Sequence, residues 1–170
     1  MKKVLVAVGL LIAIGFTANA QRYAIIDTKY ILDKLQDYKD AQKALDDFSV
    51  QWQKEIDQKQ AELDRMYRNY EAEQVMLSDE LKKKREDELF MREKEVRDLQ
   101  RQRFGFEGDL FKKRQELVKP VQDRVYTAIQ KVAVNRQYDF ILDKSEGITV
   151  IFADPKLDRS EDVLKELGVK

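Results

Sequence analysis

The chain of 170 residues contains no cysteine and no histidine. Without cysteine there is no disulfide, no thiolate nucleophile and no zinc–thiolate centre. Without histidine the commonest general base and the commonest transition-metal ligand are missing. Proline and glycine are scarce as well, at two and six residues. Between Thr28 and Gln137 only Gly105, Gly108 and Pro120 occur, and no glycine-rich phosphate loop is present. Paired carboxylates abound, but they fall on regular helix faces. Together these absences predict no enzyme, no cofactor and no metal centre. An excess of one charge is also absent, because 32 basic side chains stand against 32 acidic ones. That balance points away from nucleic acid as a partner.

The one long apolar run is at the start. Lys2 and Lys3 precede the stretch from Val4 to Phe16, and Ala18-Asn19-Ala20 follows as a small-residue cleavage site. The run is shorter than the roughly 20 residues that span a bilayer. Residues 1–20 are therefore expected to be a signal peptide, removed after Ala20, which directs the chain to the periplasm. Without Lys2 and Lys3 the chain keeps 30 basic against 32 acidic side chains, near −2.

What is present in quantity is helix former. From about Thr28 to Gln137 the sequence is dense in Glu, Lys, Arg, Gln, Asp and Leu. A single reversal is expected, at Met76-Leu77-Ser78-Asp79. Ser78 is a suitable N-cap there, and Asp79 and Glu80 suit the positive end of a new helix. The prediction is one long outgoing helix, a tight tip and one long returning helix.

Apolar residues repeat every seven positions along both helices. On the way out one line is Leu35, Ile56, Leu63, Tyr70 and Leu77, with Gln42 and Ser49 in its gaps. A second is Ile31, Tyr38, Leu45, Trp52 and Met66, with Lys59 and Glu73 in its gaps. On the way back Leu89, Val96, Leu110 and Leu117 form one line, interrupted by Arg103. Phe90, Phe104, Phe111, Val118, Val125 and Val132 form the other, interrupted by Arg97. This is an imperfect coiled-coil seam. Beyond Pro120, Val121, Val125, Ile129 and Val132 change to an ordinary buried helix face.

Gly105 and Gly108 sit in the returning arm opposite the neighbourhood of Trp52, and each weakens a helix by roughly 1 kcal/mol relative to alanine. They either make room for the indole or form a hinge with Pro120, whose missing amide hydrogen bends or interrupts the helix. The cluster Lys82-Lys83-Lys84-Arg85 beside the tip has two readings as well. It is a solvated face paired as Lys82–Glu86 and Lys84–Glu88, or a contact for anionic lipid head groups or acidic segments of a partner.

The flanks are read as strands at 22–27, 138–143 and 148–153. Asp27 caps the first long helix, Ser160 caps a short terminal helix over Glu161 to Leu167, and Gly168 ends it. The fold class is α+β: a small β body, residues 21–44 with 120–170, carrying a helical hairpin arm, residues 45–119, with its tip near 76–80. Such a body is too small to stand alone and is expected to self-associate by sharing strands. The arm is too thin to hide its aromatic residues. Trp52, Tyr67, Tyr70, Met76, Phe90, Phe104, Phe106 and Phe111 are therefore candidates for packing the arm or for meeting a partner.

The order of these elements resembles the OmpH/Skp family of periplasmic chaperones. The residues that carry the resemblance are Ile25-Ile26-Asp27, the long charged hairpin, Tyr138-Asp139-Phe140-Ile141-Leu142-Asp143 and Asp162-Val163-Leu164-Lys165. The resemblance implies a homotrimer with a β-barrel body and three arms around a cavity. It implies an ATP-independent holdase for unfolded outer-membrane β-barrel proteins. The near-neutral charge departs from the strongly basic members of that family, so no lipopolysaccharide site is assigned. The rival reading is a structural or adaptor coiled coil of the cell envelope, which needs a closed apolar seam and one fixed partner.

Overall fold

The computed structural model describes residues 21–145, 147 and 150–169. The expected signal peptide and its cleavage site lie outside the described residues. The contacts divide the chain into two units, described separately: the segments up to Ile31 and from Thr127 on, and the segment Leu32–Tyr126.

The first unit is built on two short strands, β1 (Tyr23–Ile26) and β2 (Phe140–Asp143), paired in parallel with Tyr23 opposite Phe140 and Ile26 opposite Asp143. A parallel pair cannot be closed by a tight turn, so the connection has to be long. Here it is residues 27–139. β1 is a run of β-formers whose last three residues are buried, and Ala24 is fully enclosed. Ile31 in helix α1 (Thr28–Lys34) and Val163 in the terminal helix α6 (Ser160–Glu166) are fully enclosed too. Ile25, Ile26, Ala128, Val132 and Leu164 complete this small core.

Carboxylates tie its ends together. Asp27 caps α1, its Oδ1 accepting from the Tyr30 amide at 2.8 Å, as the sequence predicts. Asp143, at the end of β2, accepts from the Thr28 amide and hydroxyl and from the Ser145 amide and hydroxyl. Asp158 accepts from Lys144 Nζ at 2.7 Å and from the Ser160 amide at 2.9 Å. Gly168, at φ +80°, ends α6 with the Val169 amide donating to Leu164 O and the Gly168 amide to Lys165 O.

Two expectations for this unit need correction. Ser160 is the first helical residue, and Arg159 holds the cap position. The Ser160 hydroxyl instead accepts from the Asp27 amide at 2.9 Å, so its work is to join the start of α6 to the end of β1. The expected third strand is not part of the sheet over Val150–Ala153, while Ile148 and Thr149 lie outside the described residues. The free edge of β1 is taken by Asp158 and Arg159, whose amide donates to Ile25 O at 2.8 Å. Ile151 and Phe152 are left almost fully exposed.

Burial alone would raise the Asp143 carboxyl, but the hydrogen bonds from Thr28 and Ser145 outweigh it and hold the group below its usual value. Asp158 is likewise lowered, with the Lys144 and Ser160 contacts overcoming burial. A carboxylate lowered in the folded state stabilises above its unfolded pKa, and that contribution is lost as pH falls through the folded value. The expected result is a flat melting temperature for this unit down to about pH 4 and a progressive fall below it. Asp143→Asn and Asp158→Asn together should be less stable at pH 7 and lose most of the acid slope. A variant that keeps the parental slope would exclude these carboxylates as its source.

The second unit is helical. Helix α2 (Gln36–Glu73) runs out, helix α3 (Asp79–Phe104) returns, and the short helix α4 (Asp109–Leu117) continues the return. Helix α5 (Lys119–Arg136) follows, and its residues from Thr127 on belong to the first unit. Ser78 caps α3, its hydroxyl accepting from the Leu81 amide. The predicted single outgoing helix is interrupted at Leu35, which is buried with extended backbone (ψ 124°) and separates α1 from α2. No glycine or proline marks that break, so local sequence could not foretell it. The predicted single returning helix is three helices. Pro120 lies in the first turn of α5, just after the break at Val118, where a missing amide hydrogen costs no helical bond.

Candidate functional site

Ile56 and Leu63 on α2 meet Leu89 and Val96 on α3, each pair seven residues apart, and these four form the buried seam. Met66, Tyr70, Leu99 and Phe104 pack against its flanks. A seam of this kind is one side chain deep. It buries one apolar line of each helix and leaves both faces of the pair open.

The two faces differ. On one, Tyr67 donates to Glu93 Oε2 at 3.4 Å and Tyr70 to Glu86 Oε1 at 2.5 Å. The bond to Glu86, followed by partial burial, raises the Tyr70 hydroxyl above its usual pKa. Arg97 donates to the other oxygen of Glu93 at 2.9 Å. Phe90 is four residues from Glu86 and three from Glu93, so it shares this face, and 59% of it is exposed. Phe104 lies further along, at the end of α3. The other side carries a shallow charged groove between the helices, lined by Lys59, Glu62, Met66, Arg92 and Glu95 and continued by Glu73, Arg85 and Glu88, where Tyr70 also lines it from the seam.

At the tip Val75, Met76 and Leu81 are exposed beside the basic cluster. The ion pairs expected there are replaced by others. Lys82 lies 3.9 Å from Asp79 and Arg85 lies 3.3 Å from Glu88. Glu86 is taken by Tyr70, and Glu88 by the nearer guanidinium. Lys83 and Lys84 are exposed and make no ion pair with the described residues.

Around the glycines the helix is broken outright. Gly105 ends α3, Gly108 precedes α4, and Glu107 between them takes left-handed backbone at φ 54°. The glycines do not make room for the indole. A Cβ on Gly105 would sit 2.3 Å from Arg101 O, and one on Gly108 would sit 2.7 Å from Gln102 O. The backbone itself demands them. Phe106, on the loop they create, is 97% exposed, and Phe111 on α4 is about half exposed.

Trp52 does lie opposite this passage, as the antiparallel register predicts. It stacks on Phe48 with centroids 5.5 Å apart, and the Arg103 guanidinium lies over its ring at 5.0 Å. Arg103 reaches Glu55 Oε2 at 3.1 Å and Asp109 Oδ2 at 2.7 Å. Lys113 lies over the Phe48 ring at 5.2 Å. The sequence reading did not single out Arg103, Glu55 or Asp109. The available signal was the guanidinium standing in a line of apolar residues between Val96 and Leu110.

The described residues contain no cluster of acidic side chains able to hold a metal ion, and no described helix is long and apolar enough to cross a membrane. What remains is a class of protein: a helical hairpin with exposed aromatic side chains, accompanied by a small α/β unit that closes on a parallel strand pair. A family profile described as "Outer membrane protein (OmpH-like)" matches residues 22–167, and the chain belongs to that family. No curated protein matches it. Among solved structures it resembles the crystal structure of an OmpH-like protein from Caulobacter crescentus CB15, assigned as an outer membrane chaperone. The TM-score is 0.67 at 16% identity, over 87% of this chain and 84% of that one. That likeness speaks for the fold.

Proposed function

We propose that the protein is an ATP-independent periplasmic holdase that binds unfolded outer-membrane β-barrel proteins and keeps them from aggregating. The observation that carries this reading is the aromatic face of the hairpin, with Tyr67, Phe90 and Phe104, together with Phe106 on the loop. An unfolded barrel strand alternates apolar and polar residues and aggregates in water. Rings spaced along a charged helix offer it weak, non-directional contacts, and neighbouring carboxylates and guanidinium groups keep the empty surface soluble. Binding of the unfolded chain then opposes aggregation by mass action. Membership of the OmpH-like family and the assignment of the Caulobacter protein support the same reading.

The working form we propose is a homotrimer whose arms enclose a cavity. Tyr23 and Phe140, stacked at 5.6 Å and partly exposed, and the exposed Ile151 and Phe152 are the surface we assign to association. Lys83 and Lys84 with Met76 at the tip are proposed to touch anionic lipid head groups. The signal peptide, cleaved after Ala20, is proposed to deliver the chain to the periplasm.

The test is light scattering of an unfolded outer-membrane β-barrel protein diluted from urea, with and without the mature protein, alongside the native mass of the assembly. The expected result is suppression at one trimer per client and a mass of three chains that rises by one client. Unchanged aggregation would favour the envelope adaptor.

A further inference from the structure

We infer that Arg103, Glu55 and Asp109 form an ionic latch that holds the α3–α4 break closed and governs how far the hairpin opens there. Three observations converge on this point. The helical hydrogen-bond ladder stops between Phe104 and Asp109, so α3 and α4 are not joined by continuous helix. The glycines of the break have carbonyl oxygens where a Cβ would stand, which fixes the break in place. Across it lies a charged clasp at a seam position otherwise held by leucine and valine, with one guanidinium bonded to α2 through Glu55 and to α4 through Asp109.

The clasp is an uneasy one. The Arg103 side chain is 22% exposed, and its Nε is buried with no hydrogen-bond partner. Asp109, first among its contacts, raises the guanidinium above its usual pKa, so Arg103 keeps its charge. Its opening leaves no acid stranded. Asp109 remains at the positive end of α4, and Glu55 is partly exposed to water. An apolar side chain at position 103 would close the same seam without desolvating charge, which is often the more stable arrangement, whereas removing one partner of such a pair loosens it. The arrangement therefore gives a joint that closes in one geometry and yields to ions.

The test is hydrogen exchange of the amides from Gly105 to Leu110 in the whole protein without client, with the seam amides of Leu63 and Val96 as internal reference. This readout does not depend on holdase activity, so a failed latch and a failed chaperone reading are told apart. Raising salt from about 0.02 M to about 0.5 M contracts the screening length from roughly 20 Å to roughly 4 Å and is expected to speed exchange at the break several-fold, with the reference unchanged. Arg103→Leu is expected to slow exchange there about tenfold and abolish the salt response, and Glu55→Gln with Asp109→Asn to speed it at low salt. Exchange in Arg103→Leu as fast as in the parent, with the salt response intact, overturns the latch. If Arg103→Leu does not fold, absence of acceleration both by salt and by the double substitution overturns it equally.

Discussion

On the proposed function, serine at Tyr67, Phe90 and Phe106 together is expected to abolish protection of an unfolded barrel client, while the protein itself stays folded. The three positions are chosen by exposure. Phe90 and Phe106 give most of their surface to water, and Tyr67 is among the exposed large side chains. Serine and the aromatics have similar helix propensity, so the two helical substitutions leave the helices intact. Exposed substitutions of this kind change stability by about 0.5 kcal/mol or less. An aromatic contact is worth about 0.5–1.5 kcal/mol, so three lost rings weaken client binding by roughly tenfold to a thousandfold. The control is Lys59→Gln with Glu95→Gln on the charged groove of the opposite face, which should protect as well as the parent. Equal loss in both variants would show that general surface character matters and the aromatic face does not. Full protection by the serine variant would remove the basis of the proposed function.

The largest effect on stability is expected from Ile31→Ala. Ile31 is fully enclosed, and its unit has few other core residues to share the load. Truncating such a side chain costs about 2–5 kcal/mol, against a total of about 5–15 kcal/mol for an ordinary domain. Urea unfolding should show the midpoint of this unit falling by a large fraction of its value. Ile151→Ala, at a nearly fully exposed position of the same unit, should scarcely move it in dilute protein. A cost below about 0.5 kcal/mol at Ile31 would mean that the enclosed residues of this unit do not hold it together. If the unit is shared between copies, the midpoint of the parent will also rise with protein concentration.

Much of this architecture was legible because it is local. The caps at Asp27 and Ser78 and the stop at Gly168 each involve residues within five positions. The sevenfold spacing of Ile56 with Leu63 and of Leu89 with Val96 is a periodicity that any helix pairing must obey. What failed was decided at a distance. Ser160 has the chemistry of a cap, but its hydroxyl is claimed by an amide 133 residues away. Residues 150–153 have strand composition, but the edge they would need is occupied by Asp158 and Arg159. Lys82 and Lys84 have acids one turn away, but Tyr70 and Arg85 reach those acids first. The aromatic candidates were selected by type alone. Sequence could not divide them into the half-buried Trp52, Tyr70 and Phe104 and the exposed Phe90 and Phe106, because that division depends on how two helices are rotated against each other.

The strand pair carries a consequence for the order of events in a new chain. The Arg22 amide is bonded to Asp139, 117 residues later, whereas the bonds that cross the hairpin near its tip span 16 to 26 residues. Contacts close in sequence form early, and those across long loops form late. A polypeptide emerging amino end first therefore has its paddle zipped before β2 exists, and β1 waits unpaired until Phe140 to Asp143 arrive. Shortened nascent products ending before Phe140 should expose β1 as a sticky, protease-sensitive end, and synthesis of β2 is the step that retires it.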